Sequence, residues 1–171
     1  MHPLHSFQYC PVCGSKRFIE NSFKSKECKQ CGFIYYFNSV AATAIFITNK
    51  KGELLVVRRA KEPAKGMFDL PGGFVDLHET AEDAIIREVK EETGLQISMP
   101  EYLFSLPNIY PYSGFDVHTV DLFYQYSIET FPELQAGDDA ESLIILGRNE
   151  IQIEPFGLDS IRRGVEIWLK Y

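Results

Sequence analysis

Between Gly73 and Leu95 the chain reads GFVDLHETAEDAIIREVKEETGL, and few folds satisfy what this stretch demands. Within it, Arg87-Glu88-Val89-Lys90-Glu91-Glu92 places three carboxylates in five residues. On a helix, positions i, i+3 and i+4 lie on neighbouring faces, so Glu88, Glu91 and Glu92 are expected to point roughly the same way. Like charges at this spacing weaken a helix by roughly 0.2–0.5 kcal/mol per pair, so something cationic is expected against them. Hard oxygen ligands at helical spacing suit Mg²⁺ or Mn²⁺ far better than Zn²⁺. A solvated acidic face is the plainer reading of a charge run, and the helix alone leaves it open.

The helix itself is well marked. Thr80 with Asp83 three residues later is a capping signal, and Ala81, Ala84, Ile85 and Val89 supply an apolar stripe. Gly94 offers a terminal residue able to take positive φ. Before the helix, Leu70-Pro71-Gly72-Gly73 reads as a strand ending in a glycine turn, where backbone can approach a metal or phosphate closely.

Spacing decides between the two readings. Gly73, five residues, Glu79, seven residues, then Arg87-Glu88-Val89-x-Glu91-Glu92-x-Gly94-Leu95 resembles the full Nudix box, G-x5-E-x7-R-E-U-x-E-E-x-G-U, with U aliphatic. Seven identities at background residue frequencies give a chance match on the order of 10⁻⁸. The chain departs at His78, where glycine is commonest, and at Asp76, which replaces a frequent Glu. The resemblance implies metal-dependent hydrolysis of nucleoside diphosphates linked to another moiety. It implies Glu79, Arg87, Glu88, Glu91 and Glu92 as the catalytic set, and Gly72, Glu88, Glu91 and Glu92 as Mg²⁺ or Mn²⁺ positions. Arg87 then orients Glu79. A further acidic ligand beyond the box falls near Asp139 or Glu141, with Asp139 the better aligned.

All four cysteines lie in the first 31 residues, as Cys10-x2-Cys13 and Cys28-x2-Cys31. Fourteen residues separate the pairs, just under the usual zinc-knuckle range, and Gly14 and Gly32 follow them closely. This reads as one structural, four-thiolate Zn²⁺ site on which so short a segment depends for folding. Two disulfides and a redox CxxC are the competing readings.

At 171 residues the chain fits one domain plus a small appendage: a ribbon over 1–37 and a main domain over 38–171. The net charge of −7 argues against a general nucleic-acid surface. The ribbon itself is mildly basic, which leaves an adaptor or protein-docking role open for it. No 18-residue apolar run and no basic-then-apolar N-terminus is present, so a cytoplasmic protein without membrane spans is expected.

Strands are expected at 33–37, 40–48, 53–59, near 101–104, at 115–128 and at 142–146, with a terminal helix over 159–169. Arg58 and Arg59 alternate faces, so one of them can reach a substrate phosphate, and Arg58 is taken as the candidate. The stretch from Ser105 to Ser113 reads as a proline-rigidified loop whose aromatics either stack a base or pack inward.

The two-part layout resembles the NADH pyrophosphatase branch of the Nudix family, which places a four-cysteine ribbon directly before the hydrolase. That resemblance implies a mixed-sheet α/β/α sandwich and a substrate set of ADP-ribose, NADH or related dinucleotides, with an NAD-type RNA cap within the same chemistry. It implies Tyr36, Pro107, Tyr110 and Pro111 as substrate-lining residues, and a homodimer. The branch's S-Q-P-W-P-F-P-x-S signature is kept here only in its serines and two prolines, with Tyr for Phe. A non-catalytic nucleotide-binding module is the alternative, although such modules usually lose box carboxylates.

Overall fold

The computed structural model describes residues 3–137 and 139–171. Three short strands, β1 (Phe18–Ser22), β2 (Ser25–Cys28) and β3 (Ile34–Tyr36), form an antiparallel sheet in the order β1-β2-β3. A larger sheet holds β4 (Val40–Asn49), β5 (Leu54–Arg59), β6 (Phe68–Asp69), β7 (Glu101–Tyr112), β8 (Phe115–Ile128) and β9 (Ala140–Leu146). Its order is β6-β5-β4-β8-β7, with β9 also paired to β5. The long β4–β8 pair is parallel and its neighbours are antiparallel, so the sheet is mixed.

Helix α1 (Ala81–Thr93) carries the box, and α2 (Asp159–Trp168) ends the fold. They cover opposite faces of the sheet. Ile45 and Ile47 of β4 bury against Ile85 and Val89 of α1, while Ala44 and Phe46 bury against Ile161, Val165 and Trp168 of α2. Phe46 and Trp168 stack with ring centroids 4.9 Å apart. A strand buried on both faces needs a continuous apolar run, and AATAIFIT supplies one. The expected α/β/α sandwich is what the chain forms.

Thr80 caps α1, its hydroxyl accepting from the Asp83 backbone N–H at 3.1 Å, and Gly94 closes the helix in the left-handed region. One sequence expectation fails here. Residues 105–113 are not a loop: 105–112 continue β7, paired with β8 out to Tyr112↔Phe115. An edge strand tolerates Pro107 and Pro111 because alternate N–H groups there face away from the sheet. The small sheet packs onto the start of β8 through Phe7 and Phe37, whose rings lie 5.9 and 6.0 Å from Phe115. Among the described residues no helix is long and apolar enough to cross a membrane.

Candidate active site and cysteine cluster

A cleft of about 480 Å³ opens on the α2 side of the sheet and runs to the inner face of α1. Gly72 and Gly73, Glu88 and Glu92 line it, as do Arg59, Asp69, Asn108, Tyr110, Thr119, Asp121 and Asp139. Gly72 has φ 150°, and a Cβ there would lie 2.1 Å from the Thr43 carbonyl oxygen. At Gly73 a Cβ would meet Glu88 Oε1 at 2.4 Å, so any side chain there would push the Glu88 carboxylate aside. The Gly72 N–H donates to Glu92 Oε2 at 3.0 Å. The preceding departure also has a structural meaning: His78 sits at φ 68°, a conformation glycine adopts more easily.

The three box carboxylates do not share one face. Glu88 and Glu92 continue the buried stripe of Ile85 and Val89 into the cleft, whereas Glu91 keeps 60% of its side chain exposed. The reason is the 100° step per residue, which sets Glu91 well around the helix from Glu92. Arg87 gathers the outer group: it donates to both oxygens of Glu79 at 2.8 and 2.9 Å, to Glu88 at 2.8 Å and to Glu91 at 3.1 Å. Its hydrogen bonds hold the Glu79 carboxyl below the usual range.

Among the described residues Glu92 has no ion-pair partner, and Glu88 shares Arg87 with Glu79 and Glu91. Burial pushes the Glu92 carboxyl up to about 8 against the Gly72 N–H, with Asp69 and Glu88 adding to the rise. Burial also raises Glu88, despite Arg87. Two hard oxygen donors whose negative charges are disfavoured by burial and by each other fit a dication.

Several substrate candidates are placed differently from the expectation. Arg58 donates to the Gly66 carbonyl at 2.7 Å and lies over the Phe68 ring, outside the cleft. Strand alternation gives the cleft to Arg59 instead, which pairs with Asp69 at 2.5 Å and donates to Tyr110 Oη at 3.0 Å. The same alternation puts Asn108, Tyr110 and Tyr112 of β7 into the cleft and turns Pro107 and Pro111 to solvent. Tyr36 lies on β3 opposite Ser25, half-exposed and away from the cleft, because its neighbour Tyr35 takes the inward side of the small sheet. Asp139 lines the cleft, where Lys61 holds it in an ion pair.

The sequence pattern left Arg59 as the alternative to Arg58 and did not mark Asp69, Asn108 or Asp121 as cleft residues. A signal was present for two of them. Thr119 and Asp121 are polar positions on the alternating face of β8 that then continues into buried Phe123, and such a face should otherwise be apolar. Asp69 lies between Phe68 and Leu70, and burial raises its carboxyl against the pull of Arg59.

The cysteines converge. Their four sulfurs lie within 4.8 Å of one another, and among the described residues no other group of three or more His, Cys, Asp or Glu does so. Cys10 Sγ and Cys31 Sγ are 3.7 Å apart and Cys13 Sγ and Cys28 Sγ 3.6 Å, spacings too long for disulfides and fitting a tetrahedral thiolate site. The two knuckles repeat one geometry: Gly14 N–H donates to the Cys10 carbonyl as Gly32 N–H does to Cys28, both at 2.9 Å. Burial opposes ionisation of Cys28, but the N–H groups of Cys31 and Gln30 bring its thiol down to about 6. The Ser15 N–H favours the Cys13 thiolate, yet burial and three neighbouring sulfurs push that thiol up to about 12. Four thiols this close need a cation before all can ionise.

Comparison with known proteins agrees with this geometry. The family profile described as NUDIX domain matches residues 38–161. The chain is 32% identical over 155 residues to an ADP-ribose pyrophosphatase of Methanocaldococcus jannaschii, covering 90% of this chain and 87% of that relative. It is 30% identical over 112 residues to the NAD-capped RNA hydrolase NudC of Vibrio parahaemolyticus, covering 66% of this chain and only 42% of that relative's length. A NUDIX hydrolase structure from Nitrosomonas europaea shares the fold, with a TM-score of 0.73 at 20% identity over 95% of this chain and 90% of that one. With the box intact and its Gly73, Glu88 and Glu92 lining one cleft, the chain belongs to the Nudix family.

Proposed function

We propose that this protein hydrolyses the diphosphate linkage of nucleoside diphosphate derivatives of the ADP-ribose class, releasing a nucleoside monophosphate. The observation that carries the reading is the meeting of Gly72, Glu88 and Glu92 with Arg59 in one cleft. An acidic end there suits metal, and a guanidinium beside it suits phosphate. The M. jannaschii relative, an ADP-ribose pyrophosphatase by name, supports the substrate class.

Glu88 and Glu92 would hold Mg²⁺ or Mn²⁺, with Gly72 adjoining them and Asp139 joining once it leaves Lys61. When bound, the metal supplies charge neutralisation at the diphosphate and a more acidic water. The chain's own part is positional. Arg87 fixes Glu79 and Glu88, the Gly72 N–H fixes Glu92, and Arg59 faces the phosphates from the opposite wall. One bridging P–O bond is exchanged for one bond to water oxygen, so ADP-ribose would give AMP and ribose 5-phosphate. Tyr110, which lines the cleft, would contact the nucleoside.

Cys10, Cys13, Cys28 and Cys31 would hold one structural Zn²⁺, a site closed to substrate because all four positions are taken. Such thiols need a reducing compartment, which supports a cytoplasmic protein. The homodimer belongs to the same proposal and is read by sedimentation. The deciding experiment offers ADP-ribose, NADH and NAD-capped RNA with Mg²⁺ or Mn²⁺ and follows nucleoside monophosphate release. Turnover of ADP-ribose supports the reading, and metal-dependent release from none of the three sinks it.

A further inference from the structure

The floor of the cleft, between β7 and β8, holds two buried polar side chains that the hydrolysis itself does not use. Asn108 is 9% exposed and lines the cleft, and its carboxamide makes no hydrogen bond to any described residue. Its polar atoms are not sealed, so they keep access to the cleft space. Asp121 is 5% exposed and accepts one hydroxyl on each oxygen, from Thr119 and from Ser160, both at 2.5 Å. Among the described residues no Lys, Arg or His pairs with it. A carboxylate offers about four acceptor positions, so half of those on Asp121 remain open in a place where water is scarce.

The register brings the two together. Asn108 lies directly across from Thr119, and Asp121 is the next residue on the same face of β8. An amide that can donate or accept therefore stands diagonally beside a group that only accepts. Tyr110 is two residues from Asn108 on the same face and presents an aromatic ring at the wall above. Ring wall and polar floor together suit a flat heterocycle with an N–H on its edge.

We propose that Asn108 and Asp121 read the hydrogen-bonding edge of the nucleotide's purine base, Asp121 taking an N–H and Asn108 bonding the adjacent ring position. This rests on the nucleotide reading of the cleft and adds which groups choose the base. A base lacking the N–H leaves buried acceptors unpaired, and such sites discriminate strongly against a ligand that omits one donor. A role confined to anchoring α2 through Ser160 predicts no such discrimination.

The test uses the full-length protein and nucleoside monophosphates, which have no diphosphate to hydrolyse. AMP is compared with purine riboside 5′-monophosphate, which keeps ring, ribose and phosphate but has no N–H on the six-membered ring. Wild-type protein should bind AMP about tenfold or more tightly, in line with the discrimination given by a good pair of base-edge bonds. Asp121→Asn should shrink that ratio to within about threefold while purine riboside monophosphate binds as before. Asn108→Leu should weaken AMP binding about tenfold without lowering Tm, since Asn108 bonds nothing in the fold. IMP or GMP binding above AMP, with the advantage lost in Asp121→Asn, supports the pair and assigns it an oxopurine. Equal wild-type affinity for AMP and purine riboside monophosphate overturns the proposal, as does unchanged binding of both in Asn108→Leu. If discrimination holds but ADP-ribose is not hydrolysed, the catalytic reading falls alone.

Discussion

Glu88 and Glu92 bear the sharpest expectations at the level of single side chains. Replacing either by Gln keeps shape and removes ligand charge, so turnover at saturating Mg²⁺ should fall by orders of magnitude with the fold retained, as steady-state kinetics and circular dichroism would show. Glu92 also makes the metal-free protein pH-sensitive. Its folded-state carboxyl titrates near 8 against an ordinary 4.5, so the folded state keeps a proton that the unfolded chain has released. Stability without added Mg²⁺ should therefore decline as pH rises from about 4.5 to about 8, and Glu92→Gln should flatten that slope in thermal melts. Metal must displace the same proton, so Mg²⁺ affinity should increase with pH up to about 8. The two neighbouring arginines separate cleanly. Arg59→Met strands buried Asp69 and should cost roughly 3–5 kcal/mol, whereas Arg58→Met loses one bond to a carbonyl, about 1–2 kcal/mol. Chemical denaturation compares them directly.

Among the elements, α1 and the turn before it act as one unit. The helix brings two carboxylates to the cleft because they continue its apolar stripe, and the turn brings backbone to them because it has no side chains. Gly73→Ala should then displace Glu88 and depress activity far more than stability, a split visible by comparing kcat with Tm. Thr80→Ala removes the hydroxyl that accepts from Asp83 N–H and should cost about 1 kcal/mol, read by urea unfolding. β7 teaches the reverse lesson. Proline and aromatic residues from 105 to 113 look like a loop, yet the edge position makes them a strand and so fixes which residues enter the cleft. A two-residue alternation puts Tyr110 and Asn108 inside and Pro107 and Pro111 outside.

Across the whole molecule, two sheets are joined through a short segment and a cluster of rings. Among the described residues the core cluster of the small one is Cys10, Phe18 and Cys28 with Phe33 and Tyr35 against it, too little to stand without a cross-link. Elemental analysis should find about one Zn²⁺ per chain, the ratio four thiolates imply. Cys28→Ser, or stripping the metal, should expose residues 3–37 to protease while the larger sheet stays resistant. A protease-resistant ribbon in reduced, metal-free protein would refute the structural-zinc reading.

Local information in the sequence was enough for the helix, its caps, the glycine turn, the cysteine knuckles and most strands of the large sheet. Each depends on residues a few positions apart, whose spacing already states the geometry. Spacing also carried the Nudix box, because Glu88, Glu91 and Glu92 sit on one helix and Glu79 lies just before it. What the sequence alone could not supply was the other wall of the cleft. Arg59, Asp69, Asn108 and Asp121 come from four strands, and only the order β6-β5-β4-β8-β7 brings them to a common face. The choice of Arg59 over Arg58, and the outward turn of Glu91, depend on which side of a strand or helix the core covers. That is settled by α1 and α2 burying opposite faces of the sheet, a long-range packing outcome that no short window of residues contains.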